Sequence, residues 1–216
     1  MTIVTNPRIP YSVKLLYSAF VAVVVPLYWA TYGPWNFLYV CDIALLVTAV
    51  AIWIESPLLV SMQAVAILAP QTLWVVDLLC RVVGGVELTG VTSYMLDASI
   101  PLYLRSLSLF HGWLPFFLLW LVSRLGYDRR ALAIQTAAAI VILLVSYLFA
   151  PAPPPSASDP SRAVNINYVY GFTDKHPQTL MAPWLWLVSL MAINVFAFYI
   201  PTHFVLRRVF ATRSPN

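Results

Sequence analysis

TYGPWNFLYVCDIALLVTAVAIWIESPLLVSMQAVAILAP (31–70) decides the fold. Two apolar runs meet at ESP, where Glu55 and Pro57 mark a tight reversal. TYGPWN supplies Gly33 and Pro34 as turn formers ahead of the first run. Across the whole stretch the only charged side chains are Asp42 and Glu55. A helix needs about 20 mostly apolar residues to cross hydrocarbon, so this is a helical hairpin built for a bilayer.

The same pattern continues outward on both sides. Apolar runs cover 12–31, 37–54, 57–80, 102–124, 131–150 and 183–205, with GYDRR between the fourth and fifth. Of 216 residues, 61% are hydrophobic and 9% are charged, far below the roughly 25% charged share of soluble domains. The expected fold is therefore all-α, a single polytopic domain of six transmembrane helices. Eight Trp, 12 Tyr and 11 Phe fit aromatic belts at both membrane surfaces. The start MTIVTNPRIPYSVK resembles that of a signal peptide, but the apolar run after it is too long, so it reads as the first span, retained.

Two longer connections remain. Residues 81–101 are polar yet carry apolar and aromatic residues, and 151–182 open with the Pro-rich PAPPPSASDPSR before NINYVYG. With six spans both termini share a side. That side collects Arg8, Lys14, Arg124, Arg129, Arg130, Arg207, Arg208 and Arg213, against Arg81, Arg105, Arg162 and Lys175 opposite. The positive-inside rule puts the termini in the cytoplasm, in a bacterial inner membrane, and both long loops outside. The net charge of +4 lacks a basic run long enough for nucleic acid.

Three ionisable residues sit inside apolar runs: Asp42, Asp77 and His111. Such residues are costly in a bilayer and mark function by default. All three fall near the outer ends of their spans, so one polar pocket is expected. If the spans are regular helices, Trp35, Tyr39 and Asp42 share a face, as do Ser108, His111 and Pro115, and Trp74 and Asp77 lie three apart. Asn167 and Tyr168, with Asp97, Asn165 and Tyr170, can cap the pocket from the loops. Each residue also has a plainer reading. Asp42 can brace helix ends by pairing with Arg81 or Arg105, Asp77 can pair with Arg81 four residues on, and His111 can bond to a neighbouring helix. His203 reads as snorkelling at the inner interface. Cys41 and Cys80 read as buried free thiols. No histidine has metal-ligand spacing, so neither metal nor cofactor is expected.

TYGPWNFLYVCD (31–42) and LFHGWLPFFLLW (109–120) resemble the androgen-induced/FAR-17a family, multi-pass membrane hydrolases of fatty-acid esters of hydroxy fatty acids with an intramembrane threonine and histidine. The resemblance implies that His111 is the family histidine and Asp42 the aspartate after its threonine. The threonine position itself falls on Tyr39, and the His-to-Pro spacing is one residue shorter. As a whole the chain is similar to a group of bacterial multi-pass membrane-associated proteins, which implies no activity.

The leading expectation is a lipid-directed hydrolase or acyl transferase, with membrane lipids and a lipid-like substrate as partners. His111 would be general base, Asp42 or Asp77 would fix its tautomer, and Tyr39, Cys41, Ser108, Thr89, Thr92 and Ser93 are the available nucleophiles. Trp35, Trp74, Asn167 and Tyr168 would line the substrate. The alternatives are a non-catalytic subunit packed against partner membrane proteins, pigments or a second copy, and a small proton-coupled carrier.

Overall fold

The computed structural model describes residues 8–210, and among them every regular element is helical. Arg213 and the first seven residues lie outside the described part. Five helical stretches are long and apolar enough to cross a membrane: Tyr11–Tyr32, Pro57–Gly84, Leu102–Leu125, Ala131–Phe149 and Pro183–Phe210. In lipid every backbone N–H and C=O has to be satisfied within the segment, which is why apolar runs of this length fold as helices.

Helix α1 (Tyr11–Tyr32) stops at Gly33, whose φ of 82° is left-handed. A 3₁₀ turn (Pro34–Leu38) follows, and Tyr39 is extended, with ψ 133°. Helix α2 (Val40–Ile54) therefore has 15 residues and starts three later than the apolar run. Trp35 and Tyr39 thus do not continue the helical face of Asp42, because Pro34 tightens the chain and Tyr39 resets it before the helix begins. At the other end Glu55 turns left-handed, with φ 50°, and Ser56 accepts the Leu59 N–H in front of Pro57. That reversal returns the chain as α3 (Pro57–Gly84).

Helix α3 is the axis of the bundle and packs against α2, against α5 (Phe110–Leu125) and against α6 (Ala131–Phe149). Its small residues Ser61, Ala64 and Ala66 are buried and let neighbouring backbones approach. The fourth run breaks into α4 (Leu102–Leu107) and α5. The last comprises α7 (Pro183–Ala192), π-helical turns over Ile193–Tyr199 and α8 (Ile200–Phe210). The Asn194 amide donates to the Leu190 carbonyl at 2.8 Å, covering one acceptor at this widening.

The bundle has a long-loop end and an opposite end. At the opposite end His203 is buried and bonded through Nδ1 to the Tyr127 hydroxyl at 2.7 Å, so it does not snorkel. Tyr127 follows the Gly126 turn, which brings its hydroxyl to the His203 ring.

Candidate functional site

The break between α4 and α5 shapes the site. Ser108 and Leu109 remain right-handed, but the bonds tighten: His111 N–H reaches the Ser108 carbonyl at 3.1 Å, and Gly112 N–H reaches Leu109 at 2.9 Å. The Ser108 carbonyl thus loses its usual partner four residues on and becomes available to a side chain. The His111 ring takes it, with Nδ1 at 2.7 Å. A carbonyl can only accept, so Nδ1 carries the proton and the neutral ring keeps its lone pair on Nε2. Trp74 stacks on the imidazole at 5.1 Å between centroids, and Phe110 lies at 4.1 Å.

Ser108 is committed elsewhere through its hydroxyl. Oγ donates to the Leu104 carbonyl at 3.2 Å and meets the Tyr28 hydroxyl at 2.8 Å. Its one proton is shared between the Leu104 carbonyl and the Tyr28 hydroxyl, and the His111 ring is bound to the Ser108 carbonyl instead. Ser108 and Tyr28 are both buried, so this pair ties α1 to the α4–α5 break away from water.

Asp42 is buried, and its Oδ2 accepts from the Asn36 amide at 3.1 Å. Its Oδ1 has no hydrogen-bond partner. Neither Arg81 nor Arg105 reaches it: Arg105 donates to the carbonyls of Ile100 and Met95. Gln71 is likewise buried, with both amide atoms unpartnered.

Asp77 is drawn into the loop that follows α3. One oxygen accepts the Thr89 N–H at 2.8 Å; the other accepts the Thr92 N–H and the Thr92 hydroxyl. Three donors presented by one returning loop outcompete the arginine a turn away. Arg81 instead pairs with Glu87 at 2.8 Å and with Ser93. Asp77 therefore anchors residues 85–92 rather than orienting His111.

The NINY segment plugs the long-loop end. Asn167 is held from both ends of its amide: Oδ1 accepts from Val40 N–H at 2.9 Å, and Nδ2 donates to Leu38 and Ser146. Tyr168 sits over Tyr39 at 6.5 Å, and the Tyr39 hydroxyl donates to the Val164 carbonyl at 3.2 Å. Trp35 is half-buried on the 3₁₀ turn. Asn165, Asn167 and Tyr168 all have positive φ, which Asn tolerates better than most residues. Fully buried Asn165 holds the plug: its amide donates to Gly171, Thr173 and Asp174, and its Oδ1 accepts from Tyr170 N–H. Burial pushes the Asp174 carboxyl up, partly offset by that amide.

Asn165→Ala is expected to lower stability by about 2 kcal/mol, the sum of a stranded Tyr170 N–H and alanine in a left-handed conformation. Thermal unfolding in detergent checks it. Asn165→Gly should recover the backbone share only, and an unchanged melting temperature for the alanine variant would show that the plug does not depend on Asn165.

The geometry thus gathers His111, Ser108 and Trp74, and separately Tyr39, Asn167 and Tyr168, while Asp77 belongs to the loop. Asp42 and His111 hydrogen-bond to different partners. The Tyr28 and Ser108 hydroxyls bond to each other, and neither bonds to the Asp42 carboxylate or the His111 ring. Tyr28, Asn36 and Gln71 were not singled out from sequence, since an uncharged polar residue in an apolar run gives little signal. Among the described residues no three His, Cys, Asp or Glu side chains come together as metal ligands, and Cys41 and Cys80 are unbridged. No family model, curated protein or solved structure matches the chain.

Proposed function

We infer that this chain is a six-span protein of the bacterial inner membrane, termini in the cytoplasm, that hydrolyses or transfers an acyl ester approaching from the outer leaflet. Helix α2, 15 apolar residues between two of the long helices, rises about 22 Å and is read here as the sixth span. Lys14, Arg124 and the Arg207–Arg208 pair lie at the opposite end from the two long loops, which supports a cytoplasmic side there.

One observation carries the chemistry: His111 Nδ1 is held on the Ser108 carbonyl, and its ring lies against Trp74, leaving Nε2 as a positioned base. The Ser108 carbonyl performs the orienting task expected of Asp42 or Asp77. Ser108 and Tyr39 have hydroxyls bound to backbone carbonyls, so water is the better nucleophile. In this reaction Nε2 removes a proton from water as its oxygen adds to the ester carbonyl. The tetrahedral oxyanion then expels the alkoxide, which takes the proton from the imidazolium. In an acyl transferase an acceptor alcohol replaces the water.

The test is turnover of long-chain esters by the protein in liposomes made up in oxygen-18 water. Hydrolysis through water places one heavy oxygen in the released fatty acid, and a fluorophosphonate lipid leaves the protein unlabelled. A transferase yields a new ester instead. Absence of ester consumption in every lipid class tried would end the reading.

A further inference from the structure

The end of the bundle away from the long loops carries more positive charge than its own carboxylates neutralise. The acidic side chains at that end, Glu55 and Asp128, are taken by Lys14 and Arg130, each pair at 2.8 Å. Among the described residues Arg129 and Arg207 have no carboxylate partner, and both are exposed.

One contact brings these two arginines to the same place. Tyr127 stands in the turn between α5 and α6, and its hydroxyl meets Nδ1 of His203 on α8 at 2.7 Å. Arg129 comes two residues after Tyr127, and Arg207 comes one helical turn after His203 on the same face of α8. The turn and the helix therefore each carry a guanidinium to the margin of a single hydrogen bond, and both charges act on the His203 ring. The other arginines of this end are placed differently. The Arg124 guanidinium lies over the Trp120 ring, 5.5 Å from its centroid. Arg208 sits about 140° around the helix from His203.

The flank of the pair is apolar. Phe204 stands edge-on to the His203 ring at 5.6 Å, and Phe204, Val205 and Val209 are all exposed. A guanidinium holds a phosphate through two parallel N–H donors. A phosphate diester on an apolar tail meets both features, whereas a nucleic acid or an acidic peptide would meet only the first.

We propose that Arg129 and Arg207 form a binding site for the phosphate of an anionic phospholipid, taken from the leaflet at this end of the bundle, with an acyl chain along Phe204. The site requires that the chain spans a membrane and is independent of the esterase reading. A lipid seated there bridges the α5–α6 turn and α8 across the Tyr127–His203 bond.

The experiment follows lipid retention by native mass spectrometry of the purified protein in a neutral detergent. It compares dioleoyl-phosphatidylglycerol with dioleoyl-phosphatidylcholine, which share chains and phosphate and differ in net charge. The wild type is expected to hold the anionic lipid about 30-fold more tightly, at about 5-fold per arginine. Arg129→Gln with Arg207→Gln should bring that ratio to near one. Arg124→Gln with Arg208→Gln removes as much charge from the same end and should leave most of the ratio in place. All four side chains are exposed, so both double variants should melt close to wild type. Equal retention of the two lipids by the wild type would overturn the proposal. So would an equal loss in the two double variants, since that result describes attraction to the basic end as a whole. Inorganic phosphate is the last probe, and it should leave the melting temperature of the wild type where it was. A phosphate-induced rise that disappears in Arg129→Gln with Arg207→Gln would assign the site to a free anion and overturn the lipid assignment.

Discussion

His111→Asn is expected to lower ester turnover by about 10²–10⁴-fold while the melting temperature stays within a few degrees of wild type. Asparagine places an amide N–H close to where Nδ1 sits, so the bond to the Ser108 carbonyl at 2.7 Å can persist. Nothing then occupies the position of Nε2, and the base is lost without the brace. His111→Ala removes both and should lose stability as well as activity, because the Ser108 carbonyl and the Trp74 face lose their partner. The two variants thus separate a catalytic histidine from a packing one. The rate against pH supplies the second readout: wild type should show an acidic limb, and the residual rate of His111→Asn should lack it. If the asparagine variant turns over at the wild-type rate, His111 is a brace for the α4–α5 break and no base.

Much of the architecture was legible because hydropathy and reversal residues act locally. The apolar runs and the ESP turn map onto helices whose ends shift by a few residues, most visibly at α2, where Pro34 and Tyr39 set backbone angles that a hydropathy scan cannot see. The site was less legible, for three physical reasons. Asp77 finds its partners in Thr89 and Thr92, which come from an aperiodic loop, while the obvious helical neighbour Arg81 turns to Glu87. His111 is oriented by a backbone carbonyl, and backbone groups have no residue type to read. Gln71 sits in LAPQTLW as visibly as Asp42 sits in its own run, but an amide lacks the charge that makes a buried residue conspicuous. Its burial follows from the packing of α3 at the centre of the bundle, which the sequence alone does not display.

At the opposite end, Lys14→Met should destabilise the protein by about 3 kcal/mol, at the lower edge of the range for breaking a buried ion pair. Lys14 Nζ lies 2.8 Å from Glu55 Oε1, with the two side chains 5% and 21% exposed. Glu55 also accepts the N–H groups of Arg8 and Ile9, so this one carboxylate fastens the chain before α1 to the α2–α3 reversal. Those two donors and the partial exposure keep the cost below the full penalty of a stranded charge. Glu55→Gln strands the more deeply buried Lys14 and should cost about as much. The double variant Lys14→Met with Glu55→Gln removes both charges together and should cost clearly less than the two singles added, by about 1–3 kcal/mol. The dependence on pH follows from the same contacts. Burial works against the Glu55 charge, but the Lys14 ammonium and the two backbone donors outweigh it and hold the carboxyl below its usual range. A carboxyl lowered by folding contributes stability that is complete above its unfolded value, about 4.3, and disappears as pH falls through the folded value beneath it. Unfolding in mixed micelles between neutral pH and pH 3 should therefore show wild type losing stability below about pH 4. Lys14→Met, whose Glu55 has lost its main partner, should lose less over the same interval. A double variant whose cost equals the sum of the singles would show that Lys14 and Glu55 act separately, and the pair would then be geometry without coupling.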